Sequence, residues 1–250
     1  MTCTSHQDRV AVVTGAAGSI GQAIAVRLAR AGCHVVIADL APAEAVAGEI
    51  EAAGRKAYAE VCDLADPGDV ERFCGGVLGR FGRCDILVNC AALQFLRTLD
   101  ELDLKSWRQM QAVNVDAAFL LCQALVPGMV ERGFGRIVNV ISNTVWQPPR
   151  AGFLAYVTSK AGMLGFTRAL AVELGGHGIT VNALAPGLTQ TAASQRGNPP
   201  EFFEAVRLQQ SVKQTLRPDD LAGTVVFLTS DDAALISGQA FRVDGGLVTL

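Results

Sequence analysis

Seven short runs rich in β-branched residues recur along the chain: VAVVT at 10–14, HVVIAD at 34–39, KAYAEV at 56–61, DILVN at 85–89, RIVNVI at 136–141, ITVNAL at 179–184 and QAFRV at 239–243. Amphipathic stretches of helical length separate them, among them PAEAVAGEIEAAG, PGDVERFCGGVLGRFG and SWRQMQAVNVDAAFLLCQALVPGMVERG. A strand, a helix and a second strand close into a βαβ unit, and right-handed crossovers set the helices on both faces of the sheet. The alternation therefore predicts an α/β fold: a doubly wound, seven-stranded parallel sheet in a single domain over residues 1–250. Half of the residues are hydrophobic and only 18% are charged, as strands covered on both faces require.

Several function classes are disfavoured. A net charge of −3 leaves no basic footprint for nucleic acid or an anionic membrane. The opening MTCTSHQDR lacks the apolar core of a signal peptide, and no run of about 18 apolar residues marks a membrane span. The seven cysteines, Cys3, Cys33, Cys62, Cys74, Cys84, Cys90 and Cys122, form no C-x-x-C pair and read as reduced thiols of a cytoplasmic protein. With only His6, His34 and His177 to join them, no metal site is expected. One segment breaks the rhythm: residues 188–216, with Gly197-Asn198-Pro199-Pro200 at their centre, read as an insertion that covers a substrate site.

The segment TGAAGSIG at 14–21 joins the first strand to the helical QAIAVRLARAG. Glycines in such a turn let backbone approach a pyrophosphate while a helix N-terminus offers free N–H groups. Asp39 closes the second strand, about twenty residues on, where a carboxylate accepts hydrogen bonds from the adenosine ribose and repels a 2′-phosphate. No Arg or Lys stands in TGAAGSIG or beside Asp39, so the expected cofactor is NAD rather than NADP.

Further on, AYVTSKAG carries Tyr156 and Lys160 one helical turn apart on one face. A phenol titrates near 10 in water, and a nearby ammonium favours the phenolate, which suits Tyr156 to acid–base work. Upstream, RIVNVISNT ends a strand and sets Ser142 at the carboxyl edge of the sheet, where its hydroxyl can steady a substrate oxygen.

These features together resemble the short-chain dehydrogenase/reductase family, whose turn T-G-x-x-x-G-x-G maps onto Thr14, Gly15, Ser19 and Gly21, with Ser19 in place of a glycine. The resemblance runs the length of the chain. It implies a Rossmann-type domain and a homotetramer, with long helices such as 104–131 and 153–175 at the interfaces. It implies catalytic roles for Ser142, Tyr156, Lys160 and Asn114, the asparagine carrying a proton relay. The family's customary spacing back from Tyr156 lands on Asn143, so Asn143 stands as the alternative to Ser142. Cofactor contacts are implied for Gly15, Ser19, Ile20 and Gly21, for Asp39 and Leu40, for Asp63 and Leu64 in CDL, and for Asn89 and Ala91 in NCAA. Tyr156 and Lys160 join them, with Pro186, Gly187, Thr189 and Thr191 in PGLTQT. Cys90 and Ala92 depart from the family's N-N-A-G. Within the family, FGRCDILVN, VNVDAAFLL, SNTVW and GFTRALAVELGGHGITVNALAP resemble bacterial NAD-dependent 1-phenylethanol dehydrogenases, and SNT with the closing LVTL resembles pyridoxal dehydrogenases.

The residues expected to face the substrate are Gln94, Phe95, Asn143, Trp146, Phe153, Leu188 and Phe202, an apolar and aromatic lining suited to a secondary or benzylic alcohol. A 3-oxoacyl thioester reductase or hydroxyacyl dehydrogenase is the alternative enzyme, for which Arg97, Arg150, Arg196 and Arg207 supply a basic rim. A non-catalytic NAD-binding protein, motivated by Ser19 and NCAA, is the alternative from another class.

Overall fold

Side chains alternate along a strand, and here each strand divides its apolar residues between two cores. Ala11 and Val13 of the first strand face one core and Val10 and Val12 the other; Val35 and Ile37 part from Val36 and Ala38 in the same way. The structure, a computed structural model, describes residues 6–249; Cys3 and Leu250 of the closing LVTL lie outside them.

The strands are β1 (Val10–Thr14), β2 (His34–Asp39), β3 (Ala57–Val61), β4 (Ile86–Asn89), β5 (Gly135–Val140), β6 (Ile179–Pro186) and β7 (Ala240–Val243). They form one seven-stranded sheet in the order β3-β2-β1-β4-β5-β6-β7, every pair parallel. Helices α1 (Ser19–Ala31), α2 (Glu44–Ala52) and α9 (Pro218–Thr229) cover one face through Ile24, Leu28, Ile50, Leu221 and Val225. Helices α3 (Pro67–Phe81), α5 (Ala117–Arg132) and α6 (Leu154–Leu174) cover the other through Phe73, Val77, Leu121, Leu125, Met129 and Leu174. The chain therefore folds as a Rossmann-like domain. Its order reverses at β1, between β2 and β4, and a crevice opens there beyond the carboxyl ends of the strands.

Local signals set several helix ends. Asp66 caps α3 by accepting from the Gly68 N–H at 2.8 Å, with Pro67 at the first helical position. Asp103 caps α4 (Leu104–Gln111) through the Ser106 N–H at 2.7 Å. The helix expected over 104–131 is not uniform: Ala112–Asp116 form a π-helical turn between α4 and α5. The rod Leu104–Arg132 has 29 residues and a window of mean hydropathy 1.6, enough by length and composition to cross a membrane. Ala117, Leu121, Cys122, Leu125 and Met129 of that rod are packed in the core against the sheet and α3.

The segment after β6 holds two short helices, α7 (Ala192–Gly197) and α8 (Pro200–Gln209). Its two ends meet: Thr189 bridges Leu216 in parallel register, and the Gln190 N–H donates to the Leu216 carbonyl at 2.8 Å. Phe203 packs into the body while Phe202 is only partly covered.

Candidate active site

The turn after β1 is built around two glycines. Gly15 has φ +69°, and a Cβ there would lie 2.7 Å from the Ala91 Cα; a Cβ on Gly21 would lie 2.2 Å from the Gly15 carbonyl oxygen. Both positions exclude a side chain. The position taken by Ser19 does not, because Ser19 is the first residue of α1 and its side chain is partly exposed. Gly18 caps α1 in an extended conformation without any side-chain cap, and no acidic residue stands in the first turn. The leading amides of α1 are thus left to an anion at the positive end of the helix. Substituting Gly21→Ala should cost about 1–3 kcal/mol through overpacking and abolish dinucleotide binding. Thermal melts with and without NAD check this, and an unchanged melt that NAD still raises contradicts it.

Asp39 ends β2 beside this turn. Its Oδ2 accepts from the Ala17 N–H at 2.9 Å and its Oδ1 from the Ala41 N–H at 3.0 Å, so the phosphate turn itself fixes the carboxylate. No Arg or Lys ion pair reaches it among the described residues. Leu40 beside it is 70% exposed, Asp63 is exposed and Leu64 buried. The cradle fits the dinucleotide.

Thr14, the last residue of β1, stitches the turn to the NCAA loop: its hydroxyl accepts from the N–H groups of Cys90 and Ala91 at 3.0 and 3.1 Å. Behind it, Asn89 donates to the Asn139 side chain at 2.8 Å, and Asn139 donates to Thr167 at 2.9 Å. This buried chain ties β4, β5 and α6. Asn139 and Thr167 were not among the expected residues; the one signal was an asparagine inside the apolar run RIVNVI.

Ser142, Tyr156 and Lys160 come together at the end of β5. The Ser142 hydroxyl lies close enough to the Tyr156 phenol to favour its ionised form and accepts from the Thr144 hydroxyl at 2.9 Å. Lys160 is 2% exposed, donates to the Val140 carbonyl at 2.8 Å and stands 5.7 Å from the centre of the Tyr156 ring. Asn143, the alternative to Ser142, turns elsewhere: it is buried and donates to Asp244 at 3.2 Å. Asp244 accepts in addition from the Gly246 and Val248 N–H groups.

Asn114 sits in the π-helical turn. Its side chain accepts from the Leu93 N–H at 2.7 Å and donates to the Leu93 carbonyl and the Ser159 hydroxyl. The amide is thus fully engaged in anchoring the loop after β4. With Lys160, Thr14, Asn89 and Met163 it lines a cavity of about 10 Å³ of water-centre space, about one water in size.

The electrostatics differ from the sequence expectation. Burial pushes the Tyr156 phenol up to about 12, opposed by the Ser142 hydrogen bond and reinforced by Cys90. Burial holds the Lys160 ammonium down to about 8, opposed by Cys90. Loss of hydration is thus the largest influence on the phenol.

Around this centre, Phe153 meets the Tyr156 ring edge-on, with centroids 6.1 Å apart and planes at 79°. Phe95 lies under the Arg97 guanidinium, and Trp146 under that of Arg242. Gln94 is exposed at the rim and Leu188 partly buried after β6. Thr189 donates to the Gly187 carbonyl, and Thr191 caps α7 through the Ser194 N–H at 3.0 Å. Thus Thr191, an expected cofactor contact, spends one of its lone pairs on the helix.

Residues 15–248 match the family model described as enoyl-(acyl carrier protein) reductase. The chain belongs to the short-chain dehydrogenase/reductase family. It is 38% identical over 242 residues to a (2S)-((R)-hydroxy(phenyl)methyl)succinyl-CoA dehydrogenase subunit from Thauera aromatica, covering 96% of each chain. It is 35% identical over 251 residues to a 3-oxoacyl-(acyl-carrier-protein) reductase from Synechocystis, covering 98% of this chain and 99% of the relative. In three dimensions it matches a blue fluorescent protein from a metagenomic library, solved in complex with NADPH, with a TM-score of 0.92 and 33% identity over 98% of this chain and 100% of the other. This short-chain dehydrogenase/reductase is thus an oxidoreductase of a family whose structures hold nicotinamide cofactors. Its departures at Ser19, Cys90 and Ala92 leave the turn and the NCAA loop hydrogen-bonded as described.

Proposed function

We propose that this enzyme uses NAD to interconvert a secondary or benzylic alcohol and the corresponding ketone or aldehyde. The observation that carries the reading is the Ser142–Tyr156 hydroxyl pair, backed by buried Lys160 and flanked by the Phe153 ring. When bound, the nicotinamide supplies the hydride acceptor or donor. The chain's own part is the proton and the orientation. Ser142 holds the substrate oxygen as charge develops on it. Tyr156 takes the hydroxyl proton in oxidation and returns it in reduction. Lys160 places a positive charge behind the phenolate, and the Asn114 cavity has room for the water that passes the proton outward.

Asp39 supports NAD over NADP, since its two fixed N–H donors keep a carboxylate where a 2′-phosphate would sit. Phe153, Phe95, Trp146 and Phe202 support an aryl substrate, and the Thauera relative's name describes a hydroxy(phenyl)methyl group. The thioester reductase reading draws on the Synechocystis relative and on the rim arginines, of which Arg97 and Arg207 are paired with Asp103 and Glu204. The test is nicotinamide absorbance with NAD and NADP against 1-phenylethanol, aliphatic secondary alcohols, polyols and 3-hydroxyacyl thioesters. Turnover of aryl alcohols with NAD supports the proposal, and turnover of thioesters alone sinks it.

Because burial keeps Tyr156 protonated at neutral pH, kcat/KM for oxidation should rise about tenfold per pH unit until the bound cofactor's charge and Lys160 have ionised the phenol. Reduction should follow the opposite limb. A flat oxidation profile between pH 6 and 9 contradicts Tyr156 as the base. We also propose a cytoplasmic homotetramer, because Phe119 on α5 and Val172 on α6, the latter 87% exposed, leave apolar surface on both long helices; light scattering that returns a monomer refutes it.

A further inference from the structure

Arg150 occupies an unusual place at the rim. Its guanidinium carbon lies 5.9 Å from the centre of the Phe153 ring and 5.4 Å from that of Phe202 on α8. Phe153 is in turn edge-on to Tyr156, so a single ring separates the guanidinium from the proton-transfer residue. Its hydrogen bonding is nearly unused: one Nη2 contact of 3.3 Å to the Asn198 side chain, and no carboxylate within ion-pair distance among the described residues. Two other rim arginines are neutralised, Arg97 by Asp103 and Arg207 by Glu204. Arg150 is exposed, and its guanidinium carbon lies within cation–π range of both rings, which favour one placement of its head group.

A guanidinium placed in this way presents most of its N–H fork to whatever enters between Phe153 and α8. Carboxylate and phosphate match that fork. We infer that Arg150 sets the substrate specificity of the site by recognising an anionic group, carboxylate or phosphate, on the end of the substrate remote from its reacting carbon. The aryl or acyl part then lies along Phe153, with its oxygen at Ser142 and Tyr156. The inference rests on the alcohol–ketone reading of that site and narrows its substrates to anionic ones.

Two matched pairs test it: 4-acetylbenzoate against acetophenone, which differ by a carboxylate, and acetoacetyl-CoA against its N-acetylcysteamine thioester, which differ by the phosphates. Binding is measured by calorimetry with NADH present, and turnover by nicotinamide absorbance. The wild type, Arg150→Ala and Arg150→Lys are compared. The wild type should favour the anionic member of one pair about tenfold or more, as a hydrogen-bonded charge pair does. That ratio should fall close to one in Arg150→Ala, recover in part in Arg150→Lys and shrink as salt is raised. The pair that carries the preference identifies carboxylate or phosphate. No preference in either pair overturns the inference, as does an equal loss for both members in Arg150→Ala, which would make the arginine a tether for α8. A binding preference without any turnover would leave Arg150 standing and remove the alcohol–ketone reading; turnover without preference does the reverse.

Discussion

Tyr156→Phe should lower kcat for alcohol oxidation by about 10²–10⁴, the contribution of a positioned acid–base group, while NAD affinity stays within a few fold. The phenol neighbours the Ser142 hydroxyl, has the Lys160 ammonium 5.7 Å from its ring centre and takes the edge of Phe153. Phenylalanine keeps the ring and its packing and removes only the hydroxyl. A fall in kcat and kcat/KM together, with an unchanged melting temperature, therefore isolates proton transfer. Stopped-flow turnover beside NAD calorimetry provides the measurement, and a variant that turns over at the native rate would displace Tyr156 from its role.

The second large effect concerns the cofactor. In the double variant Asp39→Ser, Leu40→Arg, the ratio of kcat/KM for NAD to that for NADP should fall by about 10²–10⁴. Hydrogen bonds to a charged group contribute about 1.5–3 kcal/mol each. The change removes one such acceptor for the ribose and adds a donor fork for a phosphate. Leu40 is open to solvent, so an arginine there displaces nothing. The serine hydroxyl can still accept from the Ala17 or the Ala41 N–H, which limits the damage to the turn. Retention of the native preference would mean that the discriminating contact lies elsewhere.

The sheet was legible in the sequence because strands buried on both faces read as short, nearly continuous apolar runs. Six of the seven strands begin and end within one residue of the apolar runs, and β6 runs two residues further, to Pro186. The glycine turn and Asp39 were legible because steric exclusion and charge are local. Four features were not. The π-helical turn at Ala112–Asp116 is hidden by an apolar pattern that continues through it. The choice between Ser142 and Asn143 depends on Asp244, which is distant in sequence and draws the asparagine away. The direction of the Tyr156 shift depends on burial, whereas the spacing of Tyr156 and Lys160 reports only which charges are neighbours. The chain Asn89–Asn139–Thr167 went unnoticed because an asparagine in an apolar strand declares no partner until the fold supplies one.

The meeting of Thr189 and Leu216 has a consequence for how such a chain diversifies. The segment leaves and rejoins the scaffold side by side at this bridge, so a change in the length of α7 costs little more than the slowly growing entropy of closing a longer loop, whereas α8 and its end are held by buried Phe203 and Gln210 and by the Val212 N–H bond to the Gly245 carbonyl. The sheet, the dinucleotide cradle and the Ser142–Tyr156–Lys160 centre need not be re-optimised. Length changes in this segment therefore fall on α7 and its turns, outside the sheet.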